Sequence, residues 1–223
     1  MPFSYGHYFF NIFISNFFSY NFRTNHFNEP TPLLTYKSFA ENRGTNIKYA
    51  KLLLEGMALS FQHTLPQALE NIQFFGEQTI IPIHPHQKER TEETITHYGQ
   101  AKWAIVDKLN ERYSSVLNTE FNLHHWLHYN EYDEVAYFLN EAGSNTLIHS
   151  QFKAPSHFHL WLGKKGFVIG IEQRGKGFNA EKINTEKKKK NEGAAFEFYR
   201  KCKGRVFFDD SVNARRVYLE VMV

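Results

Sequence analysis

The stretch His157-Phe-His-Leu-Trp-Leu-Gly-Lys-Lys-Gly-Phe-Val-Ile-Gly-Ile-Glu-Gln-Arg-Gly-Lys176 decides the fold class of this chain. Two runs of strand-forming residues around a Gly-Lys-Lys-Gly turn predict a β-hairpin. The second strand is almost wholly apolar and delivers Glu172, Arg174 and Lys176 at its end. An apolar strand that ends on a carboxylate and two cations presents polar groups at the edge of a core. The hairpin is therefore the first candidate for a functional site.

The rest of the chain predicts helices first and strands second. Apolar residues at helical spacing predict helices over 46–62, 66–75, 91–116, 121–129 and 133–142, the last ending at Gly143. An extended segment is expected at 79–86, and strands at 146–150, 157–162, 167–173, 205–209 and 217–223. A charged helix over 179–202, with a break at 191–193, is inserted among them. The sequence thus predicts an α+β fold: N-terminal helices followed by a four- or five-stranded, mostly antiparallel sheet with one inserted helix.

At 223 residues the chain can build one sizeable core. Residues 1–30 are rich in Phe, Asn and Ser and are expected to be a loosely ordered extension. The alternative is a helix that binds a partner or a membrane surface through Phe9, Phe13 and Phe17. Residues 31–223 are expected to form a single α+β domain, with a helical part over 45–143 and a sheet part over 144–223.

The composition of the chain excludes several classes of protein. A single cysteine, Cys202, excludes an intramolecular disulfide and a metal site made of several cysteines. The N-terminal aromatic run lacks the basic start and the cleavage site of a signal peptide, and no segment is apolar enough to span a bilayer. A cytoplasmic protein is expected, with a secreted effector or toxin as the alternative. A homodimer is left open.

Charge is distributed unevenly along the chain. From residue 151 onward there are 16 Lys and Arg against 8 Asp and Glu, whereas residues 1–150 carry 10 basic and 15 acidic residues. A basic half attracts a phosphate backbone, so a nucleic-acid partner is predicted. The expected phosphate contacts are Lys153, Lys164, Lys165, Lys187, Lys188, Lys189 and Lys190. The alternatives are a solvated basic face and an acidic protein partner.

The candidate catalytic residues come from the hairpin. Strand alternation puts His157 and His159 on one face, where they could share a cleft with Glu172. Imidazole and carboxylate suit acid–base chemistry near neutral pH, and Arg174 and Lys176 suit a developing phosphoryl charge. The alternative places both histidines on the solvent face of an edge strand.

Metal binding is a further hypothesis. Glu172 and the strand-end Asp209 are the carboxylates that would hold Mg²⁺. Asp209 and Asp210 equally suit a turn before Ser211. A zinc site at His124 and His128, spaced i and i+4, is the weaker alternative.

The order helix (133–142), three strands, helix, strand resembles the core of the PD-(D/E)XK nucleases over residues 131–210. Their strand-end Glu-x-Lys reads Glu172-Gln-Arg174 here, and the preceding strand offers no aspartate. The resemblance implies a metal-dependent nuclease, restriction-enzyme-like or toxin-like. A metal-free hydrolase of DNA or RNA is the second enzyme hypothesis. A non-enzymatic basic module that binds nucleic acid or an acidic protein is the rival.

Overall fold

The computed structural model describes residues 58–83, 91–113, 134–152 and 155–223, all within one compact unit. The helices are α1 Leu65–Asn71, α2 Glu92–Arg112, α3 Glu134–His149, α4 Ala180–Lys190 and α5 Ala194–Lys201. The strands are β1 Phe74–Pro82, β2 Pro155–Gly163, β3 Gly166–Gln173, β4 Arg205–Phe208 and β5 Arg216–Met222. The predicted α+β class, with a five-stranded sheet, is confirmed.

All strand pairs are antiparallel, and the sheet order is β1-β2-β3-β5-β4. The predicted hairpin forms β2 and β3 and lies in the middle of the sheet. After α4 and α5 the chain adds β4 at the outer edge, and β5 then returns between β3 and β4. The last strand in chain order is therefore an interior strand with a neighbour on each side.

The two faces of the sheet differ because successive side chains on a strand point to opposite sides. One face carries Phe158, Leu160, Phe167 and Ile169 and packs with residues of α2, α3, α4 and α5 in the main core. Among the described residues, α1 packs on part of the other face. There Trp161, Val168, Phe207 and Tyr218 pack with Ala68 and Ile72 of α1 in a second, smaller core.

The predicted strand at 146–150 is wrong, because α3 continues to His149. The predicted stop at Gly143 is wrong for the same reason. A Cβ at Gly143 would lie 2.3 Å from Cε2 of Tyr98 on α2. Gly143 thus lies where the Tyr98 ring of α2 packs against α3, and its missing side chain admits that ring. Among the described residues, two strands and not three lie between α3 and α4, so the layout that resembled the PD-(D/E)XK core is not reproduced.

Other element boundaries also shift. Residues 58–62 are not helical, and Leu59 instead makes a parallel bridge to Val206. The helix predicted over 66–75 ends at Asn71, and the extended segment predicted at 79–86 begins earlier, at Phe74. The rest of the helix predicted at 46–62, and the helix predicted at 121–129, lie outside the described residues.

The predicted break in the inserted helix is confirmed at the residues expected. Asn191 caps α4 in the left-handed conformation (φ 51), and Gly193 precedes α5 with φ 87. The single inserted helix is therefore two helices. Among the described residues, no helix is long and apolar enough to cross a membrane. The proposed extension, residues 1–30, lies outside the described residues.

The carboxyl group of Glu141 lies in the middle of α3, and burial raises its pKa from 4.5 to about 7. Its charge would face the phenol groups of Tyr98, Tyr137 and Tyr199 from three helices. A folded-state pKa above the unfolded value means that the folded protein keeps this proton while the unfolded chain releases it. Stability is therefore full below about pH 4.5 and declines as the pH rises towards 7.

We expect Glu141→Gln to remove this pH dependence. The variant should be more stable than the wild type at pH 8, by on the order of 3 kcal/mol, and only slightly so at pH 5. Urea unfolding of both proteins at the two pH values measures the difference. A stability difference that stays constant between pH 5 and 8 would contradict a raised pKa at Glu141.

Candidate functional site

Polar residues from three strands meet on the face of the sheet opposite the one that packs against α2 to α5. The registers of β2, β3 and β5 place His157, Glu172 and Arg216 side by side in one row across the strands. His159, Gly170 and Tyr218 form the next row. His157 is the cross-strand partner of Glu172, and His159 lies one row further along the same face, so both histidines are near this carboxylate.

The Glu172 carboxylate is the centre of this group. Its Oε2 accepts hydrogen bonds from Nε2 of His159 at 2.9 Å and from Nε of Arg216 at 2.8 Å. Nδ1 of His157 lies 4.0 Å from the same oxygen. The hydrogen bond from His159, together with the charge and hydrogen bond of Arg216, outweighs desolvation and lowers the pKa of Glu172 to about 2. Glu172 is therefore an ionised acceptor at neutral pH and has no proton to donate as a general acid.

His159 is held on three sides. Because a carboxylate only accepts, Nε2 of His159 carries the proton, and Nδ1 accepts from the Gln78 amide at 2.9 Å. The Trp161 ring stacks on the imidazole with 5.5 Å between centroids. His159 is buried, whereas the neighbouring His157 is part-exposed. Desolvation lowers the pKa of His157 despite the nearby Glu172 charge, so its ring is neutral at physiological pH.

Gly170 leaves space between His159 and Tyr218. A Cβ there would lie 3.0 Å from the Tyr218 ring and 3.1 Å from Trp161, so the position admits no larger side chain without a shift. The Tyr218 hydroxyl accepts a hydrogen bond from Arg216, and desolvation raises the pKa of Tyr218. Beside Tyr218 opens a groove of about 300 Å³, lined by Phe61, His63, Leu65, Phe208 and Asp209 among others. Tyr218 therefore lies beside both the polar group around Glu172 and this groove.

Three side chains in the group have the atoms that metal ions bind. The imidazole nitrogens of His157 and His159 and a carboxylate oxygen of Glu172 all lie within 4.8 Å of one another. Among the described residues this is the one cluster of three or more His, Cys, Asp or Glu side chains with that spacing.

The two cations predicted beside Glu172 lie elsewhere. The Arg174 guanidinium stacks on the Phe152 ring, 4.5 Å from its centroid, and Arg216 takes its place on the carboxylate. The Lys176 side chain is exposed, and its backbone N–H donates to Gln151. Gly175, which has φ +87, separates these two residues and lies close to Gln151 and Phe152, just after the end of α3.

The lysines predicted as phosphate contacts are not gathered around the histidines. Lys164 and Lys165 are exposed in the β2–β3 turn, at the opposite end of the hairpin from His157. Lys187 to Lys190 form the last turn of α4. Lys153 lies outside the described residues, as do His124 and His128, the alternative zinc pair.

Asp209 lies at a turn. Its Oδ1 accepts backbone hydrogen bonds from Asp210, Arg215 and Arg216 at 2.9–3.0 Å. Asp210 likewise caps the backbone of Val212 and Asn213. The turn alternative therefore accounts for these aspartates. By fixing the backbone of Arg216, Asp209 also sets where β5 begins.

A second buried polar group lies on the same face near α1. Glu220 accepts from His63 at 2.8 Å and from Asn71 at 2.8 Å, and Arg205 lies 3.8 Å away. Only one imidazole contacts this carboxylate. The arrangement joins α1 and the preceding segment to β4 and β5, so its evident role is structural.

Sequence reasoning missed Gln78, Arg216 and Tyr218 as site residues. No local motif marks them, because each reaches the site only through strand pairing. Arg216 could have been found only by predicting that β3 pairs with β5, and the sequence of neither strand alone indicates that pairing. Comparison with protein families, curated proteins and solved structures finds no match for this chain.

Proposed function

We propose that this protein is a nuclease, an enzyme that hydrolyses phosphodiester bonds in nucleic acid. The observation that carries the proposal is the row of His157, Glu172 and Arg216, with His159 beside it, on the face of the sheet opposite α2 to α5 and next to a groove. Two imidazoles, an ionised carboxylate and a guanidinium are the groups that phosphoryl chemistry uses to activate water and to stabilise charge.

Each group has a role in the proposed reaction. The phosphate would lie against Arg216, whose guanidinium has donors beyond the Nε that Glu172 engages. These donors would stabilise the charge that develops on the phosphoryl oxygens. The histidines and Glu172 would bind and orient the attacking water. Glu172 also fixes Arg216 and His159 in position, so one carboxylate organises the whole group.

Nucleic acid is the proposed substrate because of the overall charge of the C-terminal half and the groove beside Tyr218. The chain from residue 151 onward has twice as many basic as acidic residues. A groove of about 300 Å³ opens at Tyr218 and has the aromatic rings of Phe61, Phe208 and Tyr218 in its walls. Aromatic rings beside a polar cluster suit stacking with an unpaired base.

The direct test is incubation of the purified protein with plasmid DNA and with structured RNA, each in Mg²⁺, in Zn²⁺ or Mn²⁺, and in EDTA. We expect cleavage of at least one substrate. Arg216→Ala should lower its rate about 100-fold or more, since transition-state charge loses its donor. Arg174→Ala, a matched loss of one guanidinium from the neighbouring loop, should change it less than about threefold.

Binding without cleavage of any substrate would instead identify a non-enzymatic module. Equal losses in the two arginine variants would show that general positive charge, and not the position of Arg216, matters. Circular dichroism and thermal unfolding of each variant separate a loss of function from a loss of folding.

A further inference from the structure

We propose that His157, His159 and Glu172 bind one divalent transition-metal ion. The metal ion would be a cofactor of the proposed nuclease site, so its catalytic role rests on the proposed function. Metal binding is measured without nucleic acid, so the proposed metal site and the proposed function can be disproved independently.

The spacing of the three side chains is close to that of a coordination sphere. Two ligands about 2.05 Å from a tetrahedral ion lie roughly 3.3 Å apart. Here Nε2 of His159 and Nδ1 of His157 lie 2.9 Å and 4.0 Å from Oε2 of Glu172. Binding therefore needs movements of less than about 1 Å in side chains that already converge. His157 is part-exposed, so an ion can enter from solvent.

The surroundings of His159 are compatible with either a proton or a metal on Nε2. Without a metal, Nε2–H donates to Glu172 and Nδ1 accepts from the Gln78 amide. A metal on Nε2 requires the other neutral tautomer of the ring, in which the single proton lies on Nδ1, so the proton changes nitrogen with no net release. A rotation of the Gln78 amide then presents its oxygen as the acceptor. Such a second hydrogen bond is what orients metal-bound histidines in proteins.

The chemical types of the three ligands determine which metal ions this site would bind. Two imidazoles and one carboxylate suit Zn²⁺, Mn²⁺, Fe²⁺ or Co²⁺, whereas Mg²⁺ prefers an all-oxygen shell that keeps several waters. Three protein ligands leave at least one coordination position for water or a phosphate oxygen, as catalytic sites require. Arg216 engages the same carboxylate and cannot act as a ligand, because a guanidinium has no lone pair to offer.

The test uses titration of the whole, metal-stripped protein with Zn²⁺, Co²⁺ and Mg²⁺, followed by calorimetry and by tryptophan fluorescence. We expect one Zn²⁺ per chain and no measurable binding of Mg²⁺. Paramagnetic Co²⁺ should quench the fluorescence of Trp161, which stacks on His159, and this part of the quenching should vanish in Trp161→Phe.

His157→Ala removes a part-exposed ligand and should weaken Zn²⁺ binding at least tenfold. Arg216→Ala should keep the binding while it loses cleavage. The His124→Ala, His128→Ala double variant controls for the alternative pair and should bind as the wild type does. Unchanged affinity in His157→Ala, loss of the binding in the double variant, or no binding to the wild type would each overturn the proposal. Metal binding without nuclease activity would leave this site intact and remove the proposed function alone.

Discussion

Replacing Gly143 with alanine should destabilise the protein by about 3 kcal/mol. The added Cβ would lie 2.3 Å from Cε2 and 2.9 Å from the hydroxyl oxygen of Tyr98. That ring cannot simply rotate away, because its hydroxyl donates to the carbonyls of Leu139 and Asn140 within a buried helix contact. Either α2 and α3 separate or these hydrogen bonds are lost. We expect thermal unfolding to show a fall in Tm of roughly 10 °C.

Gly99→Ala is the matched control, because Gly99 is also a helical glycine and its Cβ would meet no described atom within 4 Å. Alanine is the better helix former by about 1 kcal/mol, so this change should be neutral or slightly stabilising. Equal effects of the two substitutions would show that helix propensity, and not the contact with Tyr98, governs position 143.

Glu172→Gln should lower the proposed nuclease activity about 1000-fold, more than any other single change at the site. The amide keeps the shape of the side chain but loses the charge that holds Arg216 and His159, and it is a poorer metal ligand. Because positioning, charge and metal binding depend on the same oxygen, their losses combine. The rate of cleavage per folded molecule, with the folded fraction taken from circular dichroism, is the quantity to measure.

Glu77→Gln is the control for this variant, since Glu77 is an exposed carboxylate on β1, two strands away in the same sheet. It should leave the rate within about twofold. A Glu172→Gln protein that is folded and retains full activity would remove Glu172 from the mechanism. Glu172 would then be half of a structural ion pair with Arg216, visible as lower stability with unchanged function.

The fold class and the central hairpin could be predicted because their signals are local. Alternation around a Gly-Lys-Lys-Gly turn specifies β2 and β3, and Asn191 with Gly193 specifies the break between α4 and α5. The end of α3 could not be predicted in this way. Gly143 has the typical chemistry of a helix stop, but it serves a contact with Tyr98, which lies 45 residues earlier in the sequence.

The candidate site was predictable only for the residues that share the hairpin. His157, His159 and Glu172 follow from strand alternation and from cross-strand pairing within one turn. Arg174 was expected beside Glu172 because it is near in sequence, yet its guanidinium stacks on Phe152 and Arg216 contacts the carboxylate instead. Arg216 comes from a strand that pairs across two intervening helices, a relation that local patterns do not encode.

The interior position of β5 links activity to the completion of folding. Until β5 inserts, β3 has an unpaired edge and β4 has no partner in the sheet. Pairings between residues so far apart in sequence form late and slowly in antiparallel sheets. A chain that has made the β2–β3 hairpin already holds both histidines and Glu172, but it lacks Arg216 and Tyr218. Under the proposed mechanism, a partly folded molecule would bind a metal ion before it could cleave a phosphodiester, so the proposed nuclease activity would depend on its last strand.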